Sequence, residues 1–295
     1  MNNENEIVMN EPSESKRSLN RRDALKGMTA VSLALATGAY GAQEAPAPSK
    51  RFSALGRDLI QSENAKPGTR DWILTKTDIT AKEPVELWRS PRIEGYCSAT
   101  SVSVGDTLKV MVSTNPVSEY SLEIFRTGYY GGTGGRSVKR FDAIQGKTQD
   151  DPEIGENRLR ECQWEPSVEF EIPDDWLSGV YLGKLTAKKG GVQSYVIFIV
   201  RDDRACDLLF QCSDMTWACY NSWPTNEWSL YHNDANGYTG HLGRKKWSTD
   251  ANDTGWVSFD RPYGQFCQDH LVKYPKSVGS GEFLLWEFPL SYWIE

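Results

Sequence analysis

The sequence has few of the residues from which proteins most often build metal and nucleophile sites. Its three histidines, His232, His241 and His270, do not stand at the spacing of a helical ligand pair, so a histidine metal site is not expected. The six cysteines form no C-x-x-C pair, which argues against a structural zinc site.

The chain also lacks an excess of positive charge. Lysine and arginine number 33 against 40 aspartates and glutamates, which gives a formal net charge of −7. Binding to nucleic acid or to anionic lipid through general electrostatic attraction is therefore not expected. Aromatic residues, by contrast, are frequent at 12%, with eleven tryptophans, and such residues serve core packing or a ligand surface.

No long hydrophobic run is present, and the most apolar N-terminal stretch, residues 28–42, is too short for a comfortable membrane span. It follows the paired Arg21 and Arg22 and precedes a zone of small residues, the pattern of an export signal. Paired arginines resemble a Tat signal, which the Tat export machinery reads on proteins that are already folded. We expect residues 1–47 to be this signal and its cleavage region, and the mature protein to be periplasmic or extracellular. An ordinary signal peptide or a lipid-facing anchor is the alternative.

Export to an oxidising compartment would allow the six cysteines to form disulfides. Their even number permits disulfides. Because Tat substrates fold in the cytosol, we expect free buried thiols instead.

Residues 48–83 have mixed polarity and are predicted to be a lead-in arm that packs on a domain. Residues 84–203 alternate apolar and polar side chains between turn signals. Two short strands are expected within 94–114, one at 120–127 before a glycine-rich loop, one within 167–176, and a pair at 178–188 and 193–202. This pattern predicts an antiparallel β-sandwich of immunoglobulin or fibronectin type III style, with Tyr181 as a tyrosine corner.

Residues 204–295 are predicted to open an α/β domain. The run 206–213 is typical of a buried parallel strand, and Ser213 or Asp214 can cap a helix over 215–222 that Pro224 stops. A long loop is expected at 224–255, a strand within 255–264 and an apolar helix within 279–295. Because these residues supply about one strand–helix unit, we expect the sequence to be a fragment with an incomplete second domain.

Four stretches, residues 126–136, 212–223, 257–263 and 287–295, together resemble the C-terminal region of the large (β) subunit of N,N-dimethylformamidase and its relatives. The resemblance covers about residues 85–295. It implies a β-sandwich followed by a domain similar to the class I glutamine amidotransferase fold. It also implies hydrolysis of the C–N bond of a small formamide at a mononuclear iron held by two tyrosinates and one carboxylate.

Carried over residue by residue, the resemblance assigns Tyr220 as one iron ligand. A second tyrosine is expected about forty residues later, where Tyr263 is available and Val257 or Phe259 occupies the better-aligned position. The carboxylate is expected beyond residue 295. Phenolates are hard donors suited to ferric iron, which can polarise an amide carbonyl and activate bound water.

The helix that carries Tyr220 offers further candidates. Thr216 shares its face, and Trp217 lies three residues from Tyr220. We interpret Thr216, Trp217 and Asn221 as a substrate pocket, with core or interdomain packing of Trp217, Tyr220 and Trp223 as the alternative.

Asp260 and Arg261 form a second candidate pair, since arginine is suited to bidentate recognition. They are predicted either to clamp substrate as catalytic residues or to brace a turn fixed by Pro262.

Two motifs are interpreted as structural. The glycines of 128–135 lack the Lys–Ser/Thr pair of a P-loop, so they indicate a bulge or tight loop braced by Arg126 and Arg136. Cys212 lacks the flanking glycines of a nucleophile elbow and is not expected to be a nucleophile.

The leading hypothesis is therefore an exported, iron-dependent hydrolase of a small amide. The rival is a non-catalytic envelope protein that binds a glycan or peptide through aromatics in 217–238. The sequence leaves open whether the chain forms a homo-oligomer.

Overall fold

A computed structural model describes residues 58–82, 85–204, 206, 208–224, 228–230, 256–264 and 275–295. The predicted export segment 1–47, most of the loop expected at 224–255, the three histidines and Cys267 lie outside these residues. In the described part of the chain, every helix is too short to cross a bilayer.

β-Strands make up most of the regular secondary structure of the described residues, which also include three short α-helices. A π-helical turn, Phe283–Glu287, leads directly into the last helix. The elements in chain order are α1 Leu59–Asn64, β1 Thr80–Lys82, β2 Val85–Arg89, β3 Ile93–Cys97, β4 Ser101–Ser103, β5 Thr107–Thr114, β6 Tyr120–Thr127, β7 Gly135–Ile144, β8 Pro166–Glu171, β9 Gly179–Ala187, β10 Gln193–Arg201, α2 Asp214–Tyr220 and α3 Phe288–Ile294.

Two sheets form the predicted sandwich. One has five strands in the order β4-β10-β9-β6-β7, the other has three in the order β3-β5-β8, and β1 pairs separately with β2. All pairs are antiparallel except β4 with β10, so the predicted antiparallel sheet has one parallel edge. Apolar side chains of both sheets, among them Leu108 and Val112 of β5 and Leu122 of β6, fill the space between them.

Strand β10 shows why its sequence is almost continuously apolar. Alternate side chains of a strand point to opposite faces. Val196 and Phe198 enter the core between the sheets, whereas Tyr195 and Ile197 enter a second cluster on the outer face of the five-stranded sheet. Both faces of β10 are therefore covered.

The second cluster brings the lead-in arm and the later segments onto the sandwich. Trp72 and Leu74 of the arm meet Trp217 and Phe283 there. This agrees with the prediction that the arm packs on a domain, and it places α2 against the outer face of the sheet.

Tyr181 forms the predicted tyrosine corner. Its hydroxyl donates a 2.7 Å hydrogen bond to the carbonyl of Leu177. Its ring stacks on Trp176 and Phe198, at centroid distances of 4.8 and 5.4 Å.

The glycine-rich loop between β6 and β7 is a tight structural loop, as predicted. Gly132 and Gly134 have φ values of 89° and 88°, a region that glycine adopts without strain. Arg126 is fully buried and donates to the Tyr130 hydroxyl at 3.0 Å and to the Glu295 carboxylate at 2.6 Å.

Arg136 braces the same loop by donating a 2.8 Å hydrogen bond to Glu63. Glu63 also accepts from Tyr130 at 2.9 Å. The two arginines thus tie the loop to α1 and to the end of α3.

Three local predictions are wrong or incomplete. Residues 94–114 contain three strands rather than two, because β4 leaves β3 and β5 to pair with β10. The run 206–213 contains no strand among its described residues, and Leu208 and Leu209 are 67% and 85% exposed. Phe210 and Cys212 of the run reach the apolar cluster on the outer face of the five-stranded sheet, but the chain there forms no strand.

Residues 256–264 are irregular rather than a strand. They are fixed by single contacts, such as the 2.7 Å hydrogen bond from the Cys162 amide to the Asp260 carbonyl. The described residues of 204–295 include no strand, so the predicted α/β character of this part is not confirmed. The apolar terminal helix is present as α3, with Trp286 and Trp293 exposed beside and within it.

Candidate functional site

Helix α2 is anchored by Trp217. This side chain is 2% exposed and lies in the second apolar cluster. Its indole nitrogen donates a 2.9 Å hydrogen bond to the Glu287 carboxylate, which also accepts from the Ser213 amide at 3.1 Å. The Glu287 carboxylate, from a distant segment, therefore accepts a hydrogen bond at the start of α2. The Ser213 side chain makes no capping hydrogen bond.

Arg261 holds the other end of α2. It is 1% exposed, and its guanidinium donates to the carbonyl oxygens of Ala218, Asn221, Trp223 and Trp228 at 3.0–3.4 Å. The last carbonyls of a helix have no partner within the helix and carry its negative dipole end. The buried Arg261 donates hydrogen bonds to these carbonyls and places a positive charge at the negative end of the dipole. It therefore stabilises the end of α2.

Asn221 joins the two segments that carry the predicted iron ligands. It is 2% exposed, and its amide nitrogen donates to the Pro262 carbonyl at 2.9 Å. Its side-chain oxygen accepts from the Gly264 amide at 3.0 Å. Tyr220 precedes Asn221, and Tyr263 lies between the two residues that Asn221 binds, so the structure brings these segments side by side.

The two tyrosines have different surroundings. Tyr220 is half-buried and belongs to none of the apolar clusters found among the described residues. Tyr263 is half-buried and packs edge-on against Trp217, with ring centroids 6.2 Å apart. Val257 and Phe259, the alternative positions for the second ligand, line a groove described below.

The three residues predicted as a substrate pocket do not meet at one surface. Trp217 lies in the second apolar cluster, and Thr216 is exposed. Asn221 links the segments of Tyr220 and Tyr263, a connection that we call the Asn221 joint. A cavity of about 20 Å³ separates α2 from β3 and β10, with Trp217, Tyr263 and Asp214 in its wall. This volume holds about one water molecule, so packing is the role that the structure supports for Trp217.

The described residues offer donors for part of the implied iron site. They contain no group of three His, Cys, Asp or Glu side chains that could hold a metal. Tyr220 and Tyr263 are hard oxygen donors of the kind that ferric iron accepts. Asp214, the carboxylate of α2, stands at the opposite end of the helix from Tyr220, so the helix itself places no carboxylate beside Tyr220.

Neither cysteine of this region is poised as a nucleophile. Burial raises the pKa of the Cys212 thiol, and the Glu287 carboxylate adds to the effect. Burial also raises the pKa of Cys219, although Arg261 partly offsets it. A raised thiol pKa lowers the fraction of reactive thiolate, in agreement with the prediction for Cys212.

Asp260 lines an open groove of about 470 Å³ with Glu161, Trp256 and Phe259. Burial raises the pKa of Asp260, and the neighbouring Glu161 raises it further. The guanidinium of Arg261 is engaged with backbone carbonyls instead. The brace, rather than the substrate clamp, is therefore the role that the geometry supports for Arg261.

The sequence did not point to Glu161, Trp256 or Glu287. Each contacts a residue far away in the chain, so no local pattern reveals its role. Only the tertiary contacts place Glu287 at α2 and Glu161 beside Asp260.

The comparison with protein families agrees with the resemblance seen in the motifs. A family described as N,N-dimethylformamidase beta subunit-like, C-terminal, matches residues 121–295. The match spans β6 to β10, α2, both tyrosines and α3. No curated protein matches the sequence. Because the matched region is more than half of the chain, the chain belongs to the N,N-dimethylformamidase beta subunit-like family, in its C-terminal region.

Proposed function

We propose that this protein is an exported hydrolase that cleaves the C–N bond of a small amide, as dimethylformamidase does. The observation that carries the proposal is the joint made by Asn221 within the family-matched region. It holds the segment of Tyr220 against the segment of Tyr263. A two-tyrosinate metal site requires two phenols on segments that their neighbours hold firmly beside each other.

The proposal assigns Tyr220 as an iron ligand and Tyr263 as the second tyrosine, with the carboxylate outside the described residues. Iron, when bound, polarises the amide carbonyl and lowers the pKa of bound water. The residues of this chain fix the geometry: Arg261 holds the end of α2, and Asn221 holds the loop that follows.

The proposed location rests on the N-terminal sequence. The paired Arg21 and Arg22, the weakly apolar run and the small residues up to 47 support export through the Tat machinery. Fusing residues 1–47 to a reporter that needs folded export tests this: replacing both arginines by lysine should retain the reporter in the cytoplasm. Export that survives the replacement would contradict the Tat assignment.

The rival binding function gains little from the structure. Of the aromatics in 217–238 that are described, Trp217 and Trp223 are 2% and 1% exposed. Trp228 lies under the guanidinium groups of Arg158 and Arg160. These three tryptophans are engaged within the protein, so among the described residues they offer no open aromatic surface to a glycan or a peptide.

The test is hydrolysis of N,N-dimethylformamide by the iron-loaded, full-length protein, followed as release of dimethylamine and formate. Tyr220→Phe should lower activity by more than about 100-fold, since even residues that only orient metal ligands are worth about 10- to 100-fold. Tyr129→Phe is the matched control, because Tyr129 is 46% exposed on the glycine-rich loop. Absence of hydrolysis across a panel of small amides, or an active Tyr220→Phe, would contradict the proposal.

A further inference from the structure

The groove beside Asp260 is built mainly by two segments that are distant in sequence, with Leu230 added from a third. The amide of Trp256 donates to the carbonyl of Asn157 at 2.8 Å. The hydroxyl of Ser258 donates to the carboxylate of Glu161 at 2.8 Å. Together with the bond from Cys162 to Asp260, these contacts fix the two walls, which enclose about 470 Å³.

The groove presents two aromatic rings to solvent. Trp256 is 58% exposed and Phe259 is 38% exposed, and both line it with Leu159 and Leu230. Exposed aromatic faces carry negative electrostatic potential and attract cations.

The groove also presents two carboxylates, from Glu161 and Asp260. Within the described part of the chain, neither forms an ion pair with a lysine or arginine. Their mutual repulsion adds to burial in raising the pKa of Asp260. A positive charge placed between them would relieve this repulsion.

The cationic residues of the same segment are turned elsewhere. Arg158 and Arg160 lie over the ring of Trp228, at 5.0 and 4.6 Å from its centroid. Leu159 and Glu161, the residues that alternate with them, line the groove. The alternation leaves the groove acidic and aromatic although arginines flank it in sequence.

We propose that this groove binds a small organic cation of the alkylammonium class. The charged nitrogen lies near the carboxylates of Glu161 and Asp260, and the alkyl groups contact Trp256 and Phe259. An anion is disfavoured by the two carboxylates, and a neutral apolar ligand gains nothing from them. This binding site uses none of the residues to which the proposed hydrolysis assigns a role, and it does not depend on that hydrolysis.

Isothermal titration calorimetry of the full-length protein with tetramethylammonium chloride tests the proposal, at constant ionic strength set with sodium chloride. We expect saturable binding in the millimolar range, as befits a small ligand in an open groove. tert-Butanol, which has a similar shape and no charge, should bind at least about threefold more weakly.

The variants Trp256→Leu, Asp260→Asn and Glu161→Gln should each weaken tetramethylammonium binding by at least about threefold. The controls are Trp293→Leu, at an exposed tryptophan outside the groove, and Asp203→Asn, at an exposed aspartate outside it. Both should bind as the wild type does. Circular dichroism confirms that each variant is folded, and having three groove variants allows for one that fails to fold.

The proposal is overturned if the wild-type protein shows no saturable binding, or if tert-butanol binds as well as the cation. It is also overturned if all folded groove variants bind as tightly as the controls, because the cation would then lie elsewhere.

Discussion

The side-chain amide of Asn221 donates a 2.9 Å hydrogen bond to the carbonyl oxygen of Pro262. Its oxygen accepts from the Gly264 amide, so one buried side chain holds both chain neighbours of Tyr263. Active sites need ligands fixed to within about half an ångström, which requires support from residues that do not touch the ligand. We infer that Asn221 gives the two tyrosine segments this support.

Replacing Asn221 by alanine should lower the free energy of unfolding by at least about 3 kcal/mol. The change leaves the Pro262 carbonyl and the Gly264 and Trp223 amides without their buried partner, and each such group costs about 1–3 kcal/mol. Urea denaturation measures the effect. The control Thr216→Ala, at an exposed position of α2, should change stability by about 0.5 kcal/mol or less. Equal stabilities of the two variants would show that the joint contributes nothing.

Arg261→Lys tests whether geometry or charge matters at the end of α2. Lysine keeps the positive charge but has a single ammonium group, which cannot reach four carbonyl oxygens in the way a planar guanidinium does. We expect a loss of about 3 kcal/mol. Arg70→Lys, at an exposed arginine, is the control and should be near neutral. A near-neutral Arg261→Lys would mean that charge alone is needed.

Tyr181→Phe removes only the hydroxyl of the tyrosine corner. The Leu177 carbonyl then loses a 2.7 Å hydrogen bond inside the core, while the stacking on Trp176 stays. The expected loss is about 1–2 kcal/mol in the free energy of unfolding. Tyr129→Phe, at an exposed ring, should lower the free energy of unfolding much less. A similar loss in both variants would show that the hydroxyl of Tyr181 does not stabilise the fold.

Glu63 gives the fold a contribution that depends on pH. Burial raises the pKa of Glu63, but hydrogen bonds from Lys66, Arg136 and Tyr130 outweigh burial and hold the pKa below its ordinary value of 4.5. The unfolded chain therefore binds the proton more tightly, and the stabilisation is present above pH 4.5 and is lost as the pH falls through the folded pKa.

Glu63→Gln removes this titration. At neutral pH the variant should be less stable by about 2 kcal/mol, the worth of hydrogen bonds to a charged group. The difference from the wild type should shrink as the pH falls below 4.5. Thermal melts between pH 3 and pH 7 are the measurement. A difference that stays constant or grows with acid would contradict the assigned direction of the pKa shift.

The sandwich was largely predictable because its signals are local. Strand β9 alternates apolar and polar side chains, and strand β10 is almost continuously apolar. The two flank the turn at 188–191, and short-range periodicity reveals such a hairpin. The corner at Tyr181 was predictable for the same reason, since its partner Leu177 lies four residues earlier.

The segments after β10 were less predictable because distant contacts decide their form. The run 206–213 has the composition of a buried strand, yet only Phe210 and Cys212 reach the apolar cluster, and Leu209 is 85% exposed. The carboxylate that serves the start of α2 comes from Glu287, and no local rule would select it. The motif resemblance identified Tyr220 and Tyr263, whereas the role of Asn221 as their link required the structure.

Iron content per chain is the decisive measurement for the assignment of Tyr220 as a metal ligand. Full-length protein purified after expression with added iron should contain close to one iron per chain by elemental analysis. Tyr220→Phe should lose most of that iron, whereas Tyr129→Phe should keep it. An iron-free wild-type protein, or a Tyr220→Phe variant that retains the metal in full, would contradict the assignment of Tyr220 as a ligand.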